Sequence, residues 1–383
     1  MEFGFTEEQA LFAAELARYA EKRLAPDYRR WDRGEVIPRE RIRELANLGV
    51  TGLRVPEEYG GHLASYVTLG LASEELARGD FNYSLFVQLS AIAGDLLSLH
   101  GSPAVKERWL PALASGEAVI AFAITEPSVG SDAGRLVCRA TRQGSGWALT
   151  GEKASITFAG YADSAIVFAR TGGEGPRGVS AFLVPLDGPG VSRQVYQSAG
   201  ERLSQRGSLF FDEVEVGDDH LLGDEGGGFV QAMQSFDYNR ALIALAFVGT
   251  ARQSLEETIA YTKERQAFGR PLATHEGVAF QVADHLTTLD AARLLAYRAL
   301  WKRDQGEPHA SEAAMAKLFA GRTGVAAVHA ALLLHGHIGY AADAPFEQRL
   351  RDLIGLEIGD GTPEIMQGII AREAYGRAFT AYR

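Results

Sequence analysis

One stretch of this chain, residues 229–263, predicts an exceptionally long helix. It contains no proline, and Gly249 is its only weak helix breaker. At 1.5 Å per residue, such a helix approaches about 50 Å in length, more than a small domain needs for its own core. We therefore expect it to pack against another subunit. Hydrophobic periodicity predicts further helices over residues 277–302, 311–334 and 362–374.

The N-terminal part of the chain is also helical in pattern. Thr6 and Gln9 fit a capping box at the start of the first helix. Pro38 is suited to begin a second helix and Gly49 to end it, and helical stretches continue to the end of this region. The pattern predicts a helical domain over residues 1–118.

Between the two helical regions, the hydrophobic period changes to that of strands. Short segments rich in β-branched and aromatic residues are separated by Gly, Asp and Ser. They cover residues 119–125, 136–142, 147–149, 165–169, 179–184 and 209–214. We predict a compact β domain over residues 119–222 and a helical region over residues 223–383. The fold class is therefore α+β and mostly helical.

Composition narrows the classes of function. The 383 residues include 38 Lys and Arg against 49 Asp and Glu, a net charge of -11, which argues against a surface dominated by nucleic-acid phosphates or anionic lipid. Cys138 is the single cysteine, which excludes an internal disulfide framework and a cysteine-rich metal site. The first residues lack the features of a signal peptide, and no run of about 18 to 20 apolar residues follows. We expect a cytoplasmic protein without membrane insertion.

Two segments at strand ends combine small polar residues with apolar ones. Residues 121–132 run from a strand into a turn rich in Gly, Ser and Asp, and residues 151–163 place hydroxyl groups at a strand edge. Each fits an ordinary strand end with a polar turn. The first also fits a loop whose amides and hydroxyls hold a planar heteroaromatic ring and a nearby phosphate. Its glycines match neither a Rossmann nor a P-loop fingerprint.

Two further segments place charged residues beside helix ends. Residues 264–269 put a cation and an aromatic at the end of the long helix, where Gly269 would act as a cap. Within residues 351–365, Asp360 stands between two glycines and shortly before Thr362, a suitable N-cap. A helix dipole accounts for a carboxylate at this position, but not for the glycines that flank it.

In this order and spacing, the four segments resemble the acyl-CoA dehydrogenase family, and the likeness covers nearly the whole chain. Residues 55–61, 207–211 and 237–240 also look like family positions. The resemblance implies an N-terminal helical domain, a sandwich-like or barrel-like middle β domain and a C-terminal four-helix bundle. It further implies a homotetramer, built as a dimer of dimers, with one FAD per subunit.

Carried over residue by residue, the resemblance implies which side chains hold the cofactor and the substrate. The positions implied for FAD are Phe122, Ile124, Thr125, Gly130, Ser131, Ser155, Thr157, Arg265, Phe268, Gly336, Thr362 and Glu364. Of these, Arg265 and Phe268 would reach the FAD of a neighbouring subunit. The acyl-CoA substrate would contact Ser131, Asp237 and Arg240, and no metal is required.

The reaction that the resemblance implies is the α,β-dehydrogenation of an acyl thioester to a 2-enoyl thioester. Asp360 would act as the catalytic base and remove the α-proton, while the β-hydrogen leaves as a hydride to flavin N5. The electrons would then pass to an electron-transferring flavoprotein.

The chain departs from the family pattern at several of these positions. Most members have Glu where this chain has Asp360, which is one methylene shorter and loses about 1.5 Å of reach. Some members carry the base at the position of Asn239, whose amide cannot accept a proton. Ser155 stands where Trp is common, and Leu333 where Gln is common. We therefore expect an altered pocket that takes a branched, alicyclic or otherwise bulky acyl group.

Two other functions stay open at this point. Nitroalkane oxidases of the same superfamily use an Asp base in the equivalent loop, although residues 361–365 keep the dehydrogenase pattern and the helix that follows offers no cation before Arg372. A DNA-binding flavin homologue without catalytic activity is disfavoured by the acidic net charge. The sequence also leaves open whether CoA or acyl-carrier protein carries the acyl group.

Overall fold

The computed structural model describes residues 4–379, and its N-terminal region is a set of helices. They are α1 (Glu7–Tyr19), α2 (Tyr28–Asp32), α3 (Arg39–Asn47), α4 (Tyr66–Gly79), α5 (Ser84–His100) and α6 (Pro103–Ala114). The predicted capping box of α1 is present, because the Thr6 hydroxyl accepts from the Gln9 amide and the Gln9 side chain accepts from the Thr6 amide. Gly49 follows α3 with φ 79°, a left-handed conformation that suits a glycine stop.

The middle region forms one seven-stranded sheet. Its strands are β1 (Ile120–Ala123), β2 (Arg139–Gln143), β3 (Gly146–Ile156), β4 (Ser164–Arg170), β5 (Val179–Pro185), β6 (Val191–Val195) and β7 (Gly207–Gly217). They lie in the order β1-β4-β2-β3-β7-β6, with β5 paired to β4. All except β6 overlap a predicted segment. Strand β6 lies at the sheet edge with mostly exposed side chains, so its sequence lacks an apolar face.

The C-terminal region is again helical, which confirms the predicted α+β, mostly helical fold. Its helices are α7 (Gly228–Glu264), α8 (Glu276–Asp304), α9 (Ala310–Leu334), α10 (His337–Tyr340), α11 (Phe346–Ile358) and α12 (Pro363–Tyr375). Helices α7, α8 and α9 pack on one another, and α11 and α12 pack on α9. Helix α11 is not among the predicted helices, because polar residues such as Gln348, Arg349 and Asp352 occupy its buried face.

Helix α7, at 37 residues, is the predicted long helix, and residues 238–251 are buried without interruption. It packs against α4 of the N-terminal region as well as against α8 and α9. At Gly249 the backbones approach closely, since a Cβ there would lie 2.1 Å from the carbonyl oxygen of Glu74. Gly249 is therefore a close-packing position, and much of the length of α7 serves contacts within the chain.

The segment after α7 is not the glycine-capped helix end that the sequence predicts. Helix α7 stops at Glu264, and β8 (Gln266–Ala267) pairs antiparallel with β9 (Arg270–Pro271). Phe268 and Gly269 form the turn with φ values of 53° and 79°, and a two-residue type I′ hairpin requires positive φ at both positions. Gly269 thus turns a hairpin instead of capping the helix.

Helix α9 is long and apolar enough, by length and composition alone, to cross a membrane, since its most apolar part has a mean hydropathy of 1.2. Half of that part is buried inside the protein, and α9 packs against α7, α8, α11 and α12. Lys317 and Arg322 interrupt α9, so this helix is not an uninterrupted run of 18 to 20 apolar residues. Its central place in the bundle accounts for its apolar composition.

A buried ion pair supports the sheet. Lys153 donates to the Glu126 carboxylate at 2.8 Å and to the Ile124 carbonyl at 3.0 Å. The Lys153 and Glu126 side chains are 0% and 1% exposed, and Glu126 also accepts from the amides of Val137 and Cys138. Burial lowers the pKa of Lys153, and the neighbouring Cys138 and Glu126 oppose that shift. Each buried charge is therefore stable in the core only while its partner is present.

We predict that Glu126→Ala lowers the free energy of unfolding by about 3–5 kcal/mol, because it leaves the Lys153 ammonium buried without its partner. The matched control is Asp218→Ala, which breaks an ion pair with Arg142 whose side chains are 55% and 51% exposed and should cost less than about 1 kcal/mol. Urea unfolding measures both losses. Equal losses in the two variants would contradict the prediction.

Candidate active site

A cavity of about 770 Å³ lies where the N-terminal helices, the sheet and the C-terminal helices meet. Its walls come from α5, from the segments that follow β1 and β3, and from α7, α11 and α12. Residues 359–362, between α11 and α12, complete the wall, and we name them the base loop after the role that the resemblance implies for Asp360. The volume falls within the range of small-molecule sites, on the order of 300–1,000 Å³.

Most of the predicted site residues line this cavity. They are Phe122, Ile124, Thr125, Gly130, Ser131, Ser155, Thr157, Asp237, Arg240, Asp360 and Thr362. The fold thus brings together four regions that are far apart in the sequence.

The remaining predicted residues lie outside the cavity wall. Arg265 precedes the β8–β9 hairpin, and Phe268 at the hairpin tip is 97% exposed. Gly336 precedes α10 with φ 62°, and no atom lies within 4 Å of the place where a Cβ would stand. Glu364 is exposed in the first turn of α12. These positions do not reach the cavity of their own chain.

An irregularity in β3 shapes the sheet side of the cavity. The pairing of β3 with β7 shifts register between Lys153 and Ile156. Ser155 lies in this interval with φ 56°, an unusual conformation for a residue with a side chain. Bulges of this kind re-aim side chains next to functional sites, and here Ser155 and Thr157 both line the cavity.

The base loop is held by side chains from two other helices. Asp360 has φ 54° and Gly361 has φ 105°. From α7, the Asn239 amide donates to the Asp360 carboxylate, and Arg240 Nε donates to the Asp360 carbonyl at 3.2 Å. From α9, Lys317 Nζ donates to the Gly361 carbonyl at 2.6 Å. These bonds offset the strain of a non-glycine residue in the left-handed region.

The structure explains the glycines that flank Asp360. Gly361 adopts a φ that favours glycine. At Gly359, a Cβ would lie 2.9 Å from Cδ2 of Leu356, so a side chain there would require the Leu356 side chain to shift. Thr362 is the N-cap of α12, as predicted, and its hydroxyl accepts from the Ile365 amide at 3.5 Å.

Asp237 and Arg240 form an ion pair at the cavity wall, with 3.0 Å between Arg240 Nη1 and Asp237 Oδ1. The Arg240 side chain is 6% exposed. Burial lowers the pKa of Arg240, while the carboxylates of Asp237 and Asp360 oppose this shift. Burial raises the pKa of Asp237, which Arg240 opposes. The pair is therefore a built part of the wall and not a mobile surface contact.

The cavity region also contains charged residues that the sequence does not single out. Glu201 is buried, pairs with Arg206 and leaves Oε1 without a hydrogen-bond partner. Burial raises the pKa of its carboxyl group. It lies over α11, where a Cβ at Gly355 would be 2.9 Å from the carboxyl carbon of Glu201. Lys317 could have been noticed from the sequence, because it is a lysine inside an apolar helical stretch. Glu201 could not, because its segment has an ordinary polar composition.

The lining suits a flat ligand with polar edges. Phe122 and Phe236 lie edge to face at 5.3 Å and give an apolar surface. No atom lies within 4 Å of a Cβ built on Gly130, so the backbone there is open to a ligand. Buried polar atoms normally have partners, yet Asn239 Oδ1 and Glu201 Oε1 have none among residues 4–379. The cavity therefore fits a cofactor such as FAD. Among residues 4–379, no group of three His, Cys, Asp or Glu side chains could hold a metal ion.

Three family models match consecutive parts of the chain. Residues 6–117 match the acyl-CoA dehydrogenase N-terminal domain, residues 121–214 the middle domain and residues 226–375 the C-terminal domain. The chain is 36% identical over 380 residues to the probable acyl-CoA dehydrogenase YngJ of Bacillus subtilis (strain 168), which covers 97% of this chain and 99% of that protein.

Solved structures agree with this match. Butyryl-CoA dehydrogenase from Megasphaera elsdenii has a TM-score of 0.94 and 32% identity, with 98% of this chain and 100% of that chain covered. A glutaryl-CoA dehydrogenase from Mycobacterium smegmatis in complex with FADH2 has a TM-score of 0.92 and 29% identity, with 99% and 97% covered. The chain therefore belongs to the acyl-CoA dehydrogenase family, whose members are FAD-dependent oxidoreductases.

Proposed function

We propose that this enzyme oxidises an acyl-CoA thioester to the 2-enoyl thioester, with Asp360 as the base that removes the α-proton. The position of the Asp360 carboxylate carries the proposal. It lies at the cavity wall on a fixed loop, and Asn239 donates to its Oδ2 atom. The Oδ1 atom is then free to take the α-proton, and a general base must approach that proton to within hydrogen-bond distance.

FAD, when bound, supplies the acceptor for the β-hydrogen as hydride. We infer that the sheet side of the cavity holds its ring through Phe122, Ile124, Thr125, Gly130, Ser131, Ser155 and Thr157, with Thr362 contacting it from the N-cap of α12. Glu364, which lies outside the cavity wall, would contact a part of FAD that extends beyond the cavity. The protein then contributes alignment of the reacting atoms, an acceptor for the proton and apolar walls that limit access of water.

For the CoA portion of the substrate, we infer contacts from Ser131, Asp237 and Arg240. Nε and Nη1 of Arg240 already bind Asp360 and Asp237, which leaves Nη2 to face the substrate. Arg372 also lines the cavity, and its Nε has no hydrogen-bond partner in the part of the chain that the structure describes. Arg372 is close enough to Arg240 to contribute to the lowering of its pKa, and two neighbouring guanidinium groups suit the phosphates of CoA.

The part of the cavity beside α5 and the base loop supports the proposal of a compact, bulky acyl group. Helix α5 contributes Leu85, Leu89 and Ile92, which form an apolar wall of the cavity. The Asp base reaches about 1.5 Å less than Glu would, so the α-carbon must sit closer to the base loop. Ser155, a small residue at the cavity wall where the family commonly has Trp, leaves room for substituents. We infer a branched or alicyclic acyl group on this basis.

An exposed apolar face on α8 supports assembly into a homotetramer, a dimer of dimers. Phe280, Leu294 and Trp301 are 61%, 45% and 41% exposed, and their spacing by multiples of seven places them on one helix face. A row of exposed apolar side chains on one helix face is typical of a protein interface.

The exposed hairpin suggests how one subunit reaches its neighbour. Phe268 is almost fully exposed in its own chain, and Arg265 precedes the same hairpin. We infer that both residues contact the FAD of a neighbouring subunit, with Gly336 near its adenine end. An electron-transferring flavoprotein is the proposed acceptor of the electrons.

We expect Asp360→Asn to bind FAD and acyl-CoA but to reduce its flavin about 10²- to 10⁴-fold more slowly, because the amide cannot accept the α-proton. The measurement is anaerobic bleaching of the flavin with short, branched, aromatic and cyclic acyl-CoAs. Asp343→Asn changes an exposed aspartate and should leave the rate unchanged.

Near-normal reduction in Asp360→Asn would move the base elsewhere, with Glu201 the next carboxylate to test. The alternative chemistry gives a different pattern. A nitroalkane oxidase would form peroxide from a nitroalkane, and its flavin would stay oxidised with every acyl-CoA.

Asn239→Asp should destabilise the protein increasingly as pH rises. The change places two carboxyl groups in contact at a partly buried site, where they can share one proton at low pH but repel each other once both are ionised. The folded form then binds more protons than the unfolded form, so stability falls with pH. Thermal melting between pH 5 and pH 8 measures this slope.

The double variant Asn239→Asp/Asp360→Asn is the control, because it restores one amide and one carboxylate. It should melt with the pH dependence of the wild type. A slope in Asn239→Asp that matches the wild type would contradict the hydrogen bond between Asn239 and Asp360.

Phe268→Ser should weaken FAD retention while the subunit itself stays folded. Phe268 makes little contact within its own chain, so its replacement removes only contacts made in the assembly. Flavin content after gel filtration measures retention, and the elution volume reports the assembly state. Phe379→Ser makes the same change at a residue that is 82% exposed and should retain FAD. Equal retention in both variants would mean that the hairpin does not reach the cofactor.

A further inference from the structure

Lys317 places an ammonium group in the interior of the C-terminal helices. The residue is 3% exposed and lies on α9 between the fully buried alanines Ala313 and Ala320. Its Nζ donates to the Gly361 carbonyl at 2.6 Å and to the Glu357 carbonyl at 3.4 Å. Burying a charge costs free energy unless strong partners compensate. Packing alone therefore does not account for an ammonium group at this place behind the base loop.

We propose that Lys317 is the positioning residue of the catalytic base: its ammonium ion ties α9 to the base loop and keeps the Asp360 carboxylate at the cavity wall. The proposal rests on the proposed role of Asp360.

The two carbonyl contacts show what the ammonium group joins. Gly361 directly follows Asp360 and precedes Thr362, the N-cap of α12. Glu357 lies in the last turn of α11, where backbone carbonyls lack helical partners and a cation is favourable. A single group therefore connects the end of α11, the base loop and the start of α12. Asn239 and Arg240 hold the opposite side of Asp360, so the loop is fixed from both α7 and α9.

The charge of Lys317 is sensitive to pH in this setting. Asp360 faces it from the base loop, Arg240 from α7 and Glu357 from α11. Burial lowers the pKa of Lys317 to about 8, a shift that Arg240 adds to and that Asp360 and Glu357 oppose. Lys317 is therefore charged below about pH 8 and neutral above it. We expect the contact with the base loop to weaken as pH rises through this value.

The test compares Lys317→Met and Lys317→Arg with the wild type. Lys302→Met is the matched control, because Lys302 lies on α8 and pairs with Glu312 at 2.8 Å without touching the base loop. Two quantities are measured on FAD-loaded protein. The first is hydrogen exchange of the peptide that spans residues 356–366. The second is the rate of flavin reduction by acyl-CoA between pH 6 and pH 10.

We expect the wild-type rate to fall as pH rises through about 8. Lys317→Met should exchange faster over residues 356–366, reduce its flavin roughly 10- to 100-fold more slowly near neutral pH, and lack the alkaline fall. Lys317→Arg keeps its charge at all these pH values, so it should recover most of the rate and also lack the alkaline fall. Lys302→Met should match the wild type in both measurements.

Several results would overturn the proposal. One is an alkaline fall that persists in both Lys317 variants or is absent from the wild type. Another is exchange in Lys317→Met that equals the control. A slower rate with an unchanged pH profile would show a packing defect only. If no acyl-CoA reduces the wild-type flavin, the proposed function fails, while the exchange measurement still tests whether Lys317 holds the loop.

Discussion

The burial of α7 is the constraint on which the rest of this structure depends. Its middle, residues 238–251, is enclosed by α4 from the N-terminal region and by α8 and α9 from the C-terminal region. A helix packed this closely cannot slide or rotate without opening the core. Asp237, Asn239 and Arg240 stand near the start of this segment. The packing of α7 in the core therefore fixes the positions of these three residues at the cavity and makes this part of the site rigid.

The base loop shows how the protein keeps an unfavourable local conformation. A non-glycine residue at positive φ costs on the order of 1–3 kcal/mol. Asp360 is held there by bonds to its carboxylate and its carbonyl, and the next residue is held by Lys317. The donors come from two helices that also pack against each other. Strain at the loop is thus offset by contacts that the core itself maintains.

On the sheet side of the cavity, a residue at positive φ is likewise held close to a buried cation. Ser155 also has a positive φ, and it stands two residues from the buried Lys153, which is bound to Glu126. The irregular end of β3 is therefore anchored to the segment after β1. Both sides of the cavity combine a strained residue with a buried cation that has defined acceptors. These contacts fix the backbone on both sides of the cavity, so the cavity can keep its shape within a closely packed core.

Three of the residues proposed to bind FAD support a site that a second subunit completes. Arg265, Phe268 and Gly336 do not line the cavity, and the hairpin that carries Phe268 projects from the end of α7. Their exposure together with the apolar face of α8 supports a site completed by assembly. The inferred oligomer would then be a condition for cofactor binding and not only for stability.

The amino-acid order alone was enough for the fold class, the long helix, six of the seven strands of the sheet and the Thr6 and Thr362 caps. These features are local: periodicity, capping residues and turn residues act over a few positions. The sequence also drew attention to Asp360, through its flanking glycines, the adjacent helix start and the resemblance to the family, and its role as the base stays a prediction. It did not identify α11, whose buried face is polar, or β6, which lies exposed at an edge. Only the three-dimensional packing placed Asn239 against Asp360, Lys317 behind the base loop and Glu201 over Gly355. These partners are far apart in the chain, and no periodic pattern encodes the contact of two side chains that meet only when separate helices pack.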